Sequence, residues 1–181
     1  MNAQKVGRLA LTTATAGFFV GMALINGGSS NAIGGLCNGS PASHTWLDAS
    51  GQYGPALIDG TDDHDNIIGS DGDDIIDAGD GDDYVCGAGG DDDIDGGDGH
   101  DVLRGDTGDD DVFGGTGEDT VLGSGGNDTV DGGDEYDVIS GGSGDDVVIC
   151  IDDGAQDECS GDDDFDVCLI NGGDEVKSCE Y

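Results

Sequence analysis

Ten aspartates recur at intervals of nine residues: Asp65, Asp74, Asp83, Asp92, Asp101, Asp110, Asp119, Asp128, Asp137 and Asp146. Each sits in the frame Gly-x-x-Gly-x-Asp-x-U-x, where U is a large apolar residue, and ten such units run without insertion or deletion over residues 60–149. The first position is Gly except at Ala78, and the fourth is Gly except at Asp63 and Glu135. Glycine reaches φ > 0 and leaves room beside the backbone. A turn built this way directs main-chain carbonyls inward, and the aspartate adds a charged oxygen. Carbonyl and carboxylate oxygens, about six to eight together, are the ligands of a hard cation such as Ca2+. Aspartates at the third and fifth positions, such as Asp80, Asp82 and Asp109, fit a merely solvated face. That explanation does not reach ten aspartates at one position of a fixed frame.

The elements that must position these aspartates are legible in the same frame. The eighth position is Ile67, Ile76, Val85, Ile94, Leu103, Val112, Val121, Val130, Ile139 and Val148. An x-U-x triplet is a short strand whose central side chain points one way and whose neighbours point the other. One unit cannot bury a lone Ile or Val, but stacked units can. A second period lies inside the first. The second position carries Gly79, Gly97, Gly115 and Gly133 in odd units, and Ser70, Ala88, Asp106 and Ser124 in even ones. The end units, with Thr61 and Gly142, break the alternation. Two kinds of unit predict two sides and an eighteen-residue coil. The fold class expected is therefore all-β, a right-handed parallel β-roll.

The units Gly96-Gly97-Asp98-Gly99-His100-Asp101-Val102-Leu103-Arg104 and Gly114-Gly115-Thr116-Gly117-Glu118-Asp119-Thr120-Val121-Leu122 resemble the calcium-binding nonapeptide of the RTX (haemolysin-type) proteins. The resemblance covers residues 60–149, about half of the chain. It implies a β-roll with calcium held between same-side turns of successive coils. Same-side stacking gives one column of Asp65, Asp83, Asp101, Asp119 and Asp137, and another of Asp74, Asp92, Asp110, Asp128 and Asp146. Four gaps in each column make room for up to eight ions, whose sixteen charges would move the net charge from −38 to −22.

The chain has 181 residues, enough for one domain, with 42 acidic and four basic residues. Such composition ordinarily marks disorder. The repeat overrules it, because bound cations neutralise carboxylates that otherwise repel. One large apolar residue per nine is a thin core, so folding is expected to depend on the metal. The acidity argues against nucleic acid, which needs a basic footprint, and against anionic membrane surfaces.

Residues 1–32 read as an export signal: basic Lys5 and Arg8, an apolar run from Leu9 to Ile25, and a small-x-small site at Ser30-Asn31-Ala32. The alternative is a membrane anchor, for which this run is short. The expected location is extracellular, with no membrane insertion after signal removal. Residues 33–59 form an expected N-terminal cap over the open end of the roll, using Trp46, Leu47, Tyr53, Leu57 and Ile58. A carbohydrate- or protein-binding patch built on Trp46 and Tyr53 is the other reading of that segment. Its opening, Cys37-Asn38-Gly39-Ser40-Pro41-Ala42, resembles the start of secreted, disulfide-bearing actinobacterial members of the RTX family. Residues 150–181 contain degenerate repeats and read as a disulfide-bearing C-terminal cap. Export and six cysteines favour disulfides. Eighteen-residue stacking pairs Cys150 with Cys168 and sets Cys159 against Cys179, leaving Cys37 for Cys86.

No catalytic set is evident. His64 and His100 occupy the outward fifth position, and His44 lies outside the repeat, so a solvated histidine is preferred to a zinc ligand. The cysteines lack C-x-x-C spacing, and no Gly-Lys-Ser/Thr follows the glycine turns. The reading is a secreted, non-enzymatic calcium-binding module. The alternative is an ice-binding or adhesive solenoid, which would need a regular Thr row; the third position carries Thr only at Thr107 and Thr116. An accessory domain of an exported enzyme ranks last.

Overall fold

Backbone alternation turns every eighth-position side chain the same way, and two sheets close over them. The structure, a computed structural model, describes residues 57–151, 155–170 and 173–179. Among these are fourteen strands and no helix. One sheet stacks β1 (Leu57–Thr61), β3 (Ile75–Gly79), β5 (Asp93–Asp98), β7 (Asp111–Thr116), β9 (Thr129–Asp134), β11 (Val147–Cys150) and β13 (Val167–Ile170). The other stacks β2 (Asn66–Ile68), β4 (Tyr84–Gly89), β6 (Val102–Thr107), β8 (Thr120–Gly125), β10 (Val138–Ser143), β12 (Glu158–Asp163) and β14 (Glu175–Lys177). We call them the odd and even sheets. All pairing is parallel, with Ile94 opposite Val112 and Leu103 opposite Val121, so one coil takes eighteen residues. The chain is a parallel β-roll, as its two periods predict.

The core is a single layer. The odd sheet supplies Ile58, Ile76, Ile94, Val112, Val130 and Val148, and the even sheet Ile67, Val85, Leu103, Val121 and Ile139, all buried. Burying each is worth roughly 1.5–3 kcal/mol. Ile58 pairs with Ile76, so the roll already includes Leu57–Asp59 of β1, ahead of the first regular unit. The central strands are also longer than x-U-x: six residues each, running on through the third position of the next unit. The ladder can continue there because the second position takes a left-handed backbone, at Gly97 and Gly115 and even at Ala88, Asp106 and Ser124. Turns shrink to positions four to six.

The disulfides correct the sequence reading. Cys150 bonds Cys159, and Cys168 bonds Cys179, with Cα separations of 6.7 and 5.8 Å. The expected Cys150–Cys168 and Cys159–Cys179 bonds do not form. Two extra residues precede β12, so this coil takes 20 residues instead of 18. Cys159 therefore stacks on Ile139, and Cys168 on Val148, both in core positions. Cys150, at the end of β11, then meets Cys159 across the interior. Cys86 is also disulfide-bonded. Its expected partner Cys37, the export signal and residues 33–56 of the N-terminal cap lie outside the described residues.

Two outcomes follow from this architecture. Non-reducing peptide maps should show Cys150–Cys159 and Cys168–Cys179, and Cys150→Ser/Cys159→Ser should cost about 2–3 kcal/mol and loosen the last coils first in hydrogen exchange. At the fourth position, Gly117 has φ +126° and an added Cβ would overlap the Gly99 carbonyl of the preceding same-side turn. Gly117→Ala should therefore destabilise by about 2 kcal/mol or more. Gly125→Ala, with its nearest atom 3.5 Å away, should be nearly neutral in the same thermal melts.

Candidate metal centre

The ten frame aspartates all fall at the edges of the roll, just before a strand, and all are buried. They form two columns. Along one, the backbone N–H of Asp65 donates to Asp83 Oδ1 at 2.7 Å, and Asp83, Asp101 and Asp119 donate to the next member's Oδ1 at 2.8 Å. Along the other, Asp74, Asp92, Asp110 and Asp128 donate onward at 2.7 to 2.9 Å. Each carboxylate thus ties its coil to the one before it. At the N-terminal end the second-position N–H groups of Thr61 and Ser70 donate to Asp65 Oδ2 and Asp74 Oδ2, at 2.7 and 2.6 Å.

The second carboxylate oxygen is where the chemistry lies. Oδ2 of Asp83, Asp92, Asp101, Asp110, Asp119, Asp128 and Asp146 is buried with no hydrogen-bond partner. A buried carboxylate oxygen without a donor is costly unless a proton or a cation reaches it. The first-position glycine explains its setting. At Gly96 an added Cβ would stand 2.5 Å from the Gly114 carbonyl of the next coil and 2.6 Å from Asp101 Oδ2. A carboxylate oxygen and a main-chain carbonyl oxygen converge where this glycine leaves space, and the same pair of oxygens recurs at Gly69, Gly87, Gly114 and Gly123. Ala78 is the one unit in which a methyl occupies this position.

Among the described residues, no three His, Cys, Asp or Glu side chains gather at one point. A cation here must complete its shell from main-chain carbonyls, which is what a hard, oxygen-seeking ion accepts and a soft one does not. The donor set fits Ca2+.

Burial raises the carboxyl pKa values of Asp92 and Asp128 to about 7, and those of Asp83 and Asp101 to about 6. The N–H donated by the preceding coil lowers them, and neighbouring aspartates, the next ones along the column among them, raise them again. Asp110, Asp119 and Asp146 are raised for the same leading reason, burial.

The columns continue past the regular repeat. Asp137 N–H donates to Asp157 Oδ1, and Asp146 N–H to Asp166 Oδ1, both at 3.0 Å; Asp157 N–H reaches Asp174 Oδ1 at 3.4 Å. Sequence reasoning in a rigid nine-residue frame missed these three. The Asp-x-U signature survives as Asp157-Glu158-Cys159 and Asp166-Val167-Cys168 once two inserted residues are allowed, and as Asp174-Glu175-Val176 once the last coil is also one residue short, at 17. The fifth position carries an outer ladder as well: His64 Nδ1 accepts the Asp82 N–H at 2.7 Å and His100 Nδ1 the Glu118 N–H at 2.8 Å. These exposed histidines join coils as well as facing water.

A four-copy family model of the RTX calcium-binding nonapeptide repeat matches residues 59–94, 87–121 and 122–149. The chain belongs to the RTX calcium-binding nonapeptide-repeat family. No curated protein and no solved structure matches it. As an RTX chain it is a Ca2+-binding repeat protein, built on a fold whose general role is structural.

The titration of the columns gives a signed expectation for the calcium-free RTX roll. Folded Asp92 and Asp128 hold protons up to about 7, whereas an ordinary aspartate releases them near 3.8. The folded state therefore binds more protons in that window, and its stability falls as pH rises through it. In EDTA the β-sheet signal in circular dichroism should weaken from pH 5 to pH 7.5. Calcium added at pH 6.5 without buffer should release protons. A calcium-free signal that strengthened with pH would contradict the assignment.

Proposed function

We propose that the two aspartate columns hold Ca2+ between same-side turns, that this binding folds the roll, and that the protein acts outside the cell as a non-enzymatic structural module. The observation that carries the reading is the file of buried, unpartnered Oδ2 atoms, with those of Asp92, Asp101, Asp119 and Asp128 converging with a main-chain carbonyl oxygen on the space beside a first-position glycine. Ligands would come from Asp65, Asp74, Asp83, Asp92, Asp101, Asp110, Asp119, Asp128, Asp137 and Asp146, with main-chain oxygens of the glycine turns. The regular units enclose eight gaps, four along each column. Asp63 and Glu135 replace turn glycines and distort the gaps beside them. The single-layer core supports coupled folding, since little apolar burial remains to hold the coils if the carboxylates repel. Export is supported by the basic-apolar pattern of residues 1–32 and by the disulfide bonds.

The test is calcium titration of the oxidised protein from excess EDTA, followed by far-UV circular dichroism and hydrodynamic radius. A cooperative gain of β-structure with compaction is expected, and a compact β-rich protein in EDTA at pH 7.5, unaltered by calcium, would refute the coupling. Asp101→Asn keeps an Oδ1 to accept the Asp83 N–H but removes the charge. It should lower calcium stoichiometry by about two ions and raise the folding midpoint several-fold. Asp82→Asn, one turn position outward, should leave the stoichiometry unaltered.

A further inference from the structure

Outward charge is divided unequally between the two sheets. On the odd sheet, the seventh and ninth positions present Asp59, Asp77, Asp93, Asp95, Asp111 and Asp131. On the even sheet the same two columns hold no Asp or Glu from β2 through β10, and one base, Arg104, ion-paired to Asp106. Calcium between the turns does not require this division, because these side chains point away from the columns.

The acidic face has relief. An open groove of ≈ 470 Å³ lies across β5, β7 and β9, lined by Asp95, Asp98, Phe113, Thr116, Asp131 and Asp134. Its floor is the bare backbone of Gly97, Gly115 and Gly133. Phe113 stands directly between Asp95 and Asp131 in register, and Thr116 between Asp98 and Asp134. Adjacent coils are roughly 4.8 Å apart, so each carboxylate pair spans about 10 Å. Three residues along each strand, one of them the left-handed Gly97, Gly115 or Gly133, separate the two pairs. Four carboxylates thus mark the corners of the groove, with an aromatic ring on one edge. Phe113 is 49% exposed among the described residues, a large apolar side chain on a heavily charged face, with Ile151 also lining the groove.

We propose that this groove docks a basic polypeptide segment, with an arginine over Phe113 and further arginine or lysine side chains at the corner carboxylates. Guanidinium planes stack on aromatic rings, and a carboxylate beside the ring strengthens the attraction. Charge complementarity selects the occupant: a second copy would bring like charge to this face, and an anionic surface would be repelled. Partial burial, together with neighbouring carboxylates at Asp95, raises the pKa values of Asp95 and Asp131, as an approaching cation would relieve. The site requires only the folded roll and makes no use of the buried columns.

The probe is a fluorescein-labelled hexa-arginine peptide, titrated by anisotropy into the full oxidised chain in 2 mM calcium and 150 mM salt. Two variants remove equal charge from the roll: Asp95→Asn/Asp98→Asn/Asp131→Asn/Asp134→Asn in the groove, and Asp59→Asn/Asp62→Asn/Asp71→Asn/Asp73→Asn at the N-terminal end of the roll, away from it. The groove variant should weaken binding about tenfold or more, and the distant one less than about twofold, each with unaltered circular dichroism. Phe113→Ala, an exposed single change, should weaken binding about threefold or more and keeps the test open if a quadruple variant fails to fold. Equal weakening by both quadruple variants, indifference to Phe113→Ala, or no binding by the native chain would each overturn the proposal. Calcium-induced folding is read separately in the same samples, so loss of the roll is distinguishable from loss of the groove.

Discussion

The hydrogen bond that the N–H of the preceding same-side coil donates to each buried aspartate from Asp83 onward fixes what the rest of the molecule must do. It holds Oδ1 in place and so commits Oδ2 to a buried position. Coil spacing, the first-position glycine and the orientation of the next carbonyl all follow from accommodating that oxygen. The aliphatic core follows as well, since one inward residue per unit is all that the geometry leaves. A larger core would need longer strands, and longer strands would pull the turns out of register. Buried carboxylates and a thin core are two aspects of one arrangement.

Much of this was legible in the sequence because the repeat is strict. The eighth-position column, the two alternating sides and the parallel coil could be read from the nine-residue period and the Gly/non-Gly alternation at the second position. So could the placement of Asp65 through Asp146 in two files. Family membership rests on the same residues. Less legible was the division of labour among glycines. The fourth position needs a left-handed backbone, whereas the first needs space for two oxygens, and a one-letter sequence writes both as Gly. The six-residue strands were hidden for a related reason: glycine-rich segments read as turn, although here they continue the ladder.

The C-terminal region shows where periodic reasoning breaks. Cys150, Cys159 and Cys168 keep nine-residue spacing in the sequence but lose it in space. Two added residues move Cys159 and Cys168 from the first position to the core position, where each sulfur takes the place of an aliphatic side chain. The column aspartates Asp157 and Asp166 shift with them, and a last coil of 17 residues then displaces Asp174 the other way. Sequence spacing fixed the type of residue needed, while the insertion decided its partner. Physically, a parallel ladder tolerates extra residues at a turn far more readily than within a strand, so the register of the strands prevailed over the count.

Nearly every hydrogen bond described above runs along the roll axis, from one coil to the next. Tension applied at the two ends would therefore load those bonds one coil after another rather than all at once. Each released coil of eighteen residues would pay out roughly 60 Å of extended chain in place of about 4.8 Å of stacked height. The Cys150–Cys159 and Cys168–Cys179 bonds would hold back part of that length at one end. Mechanically, the molecule is a stack of short loops in series, compact at rest and highly extensible, with its stiffness set by whatever occupies the aspartate columns.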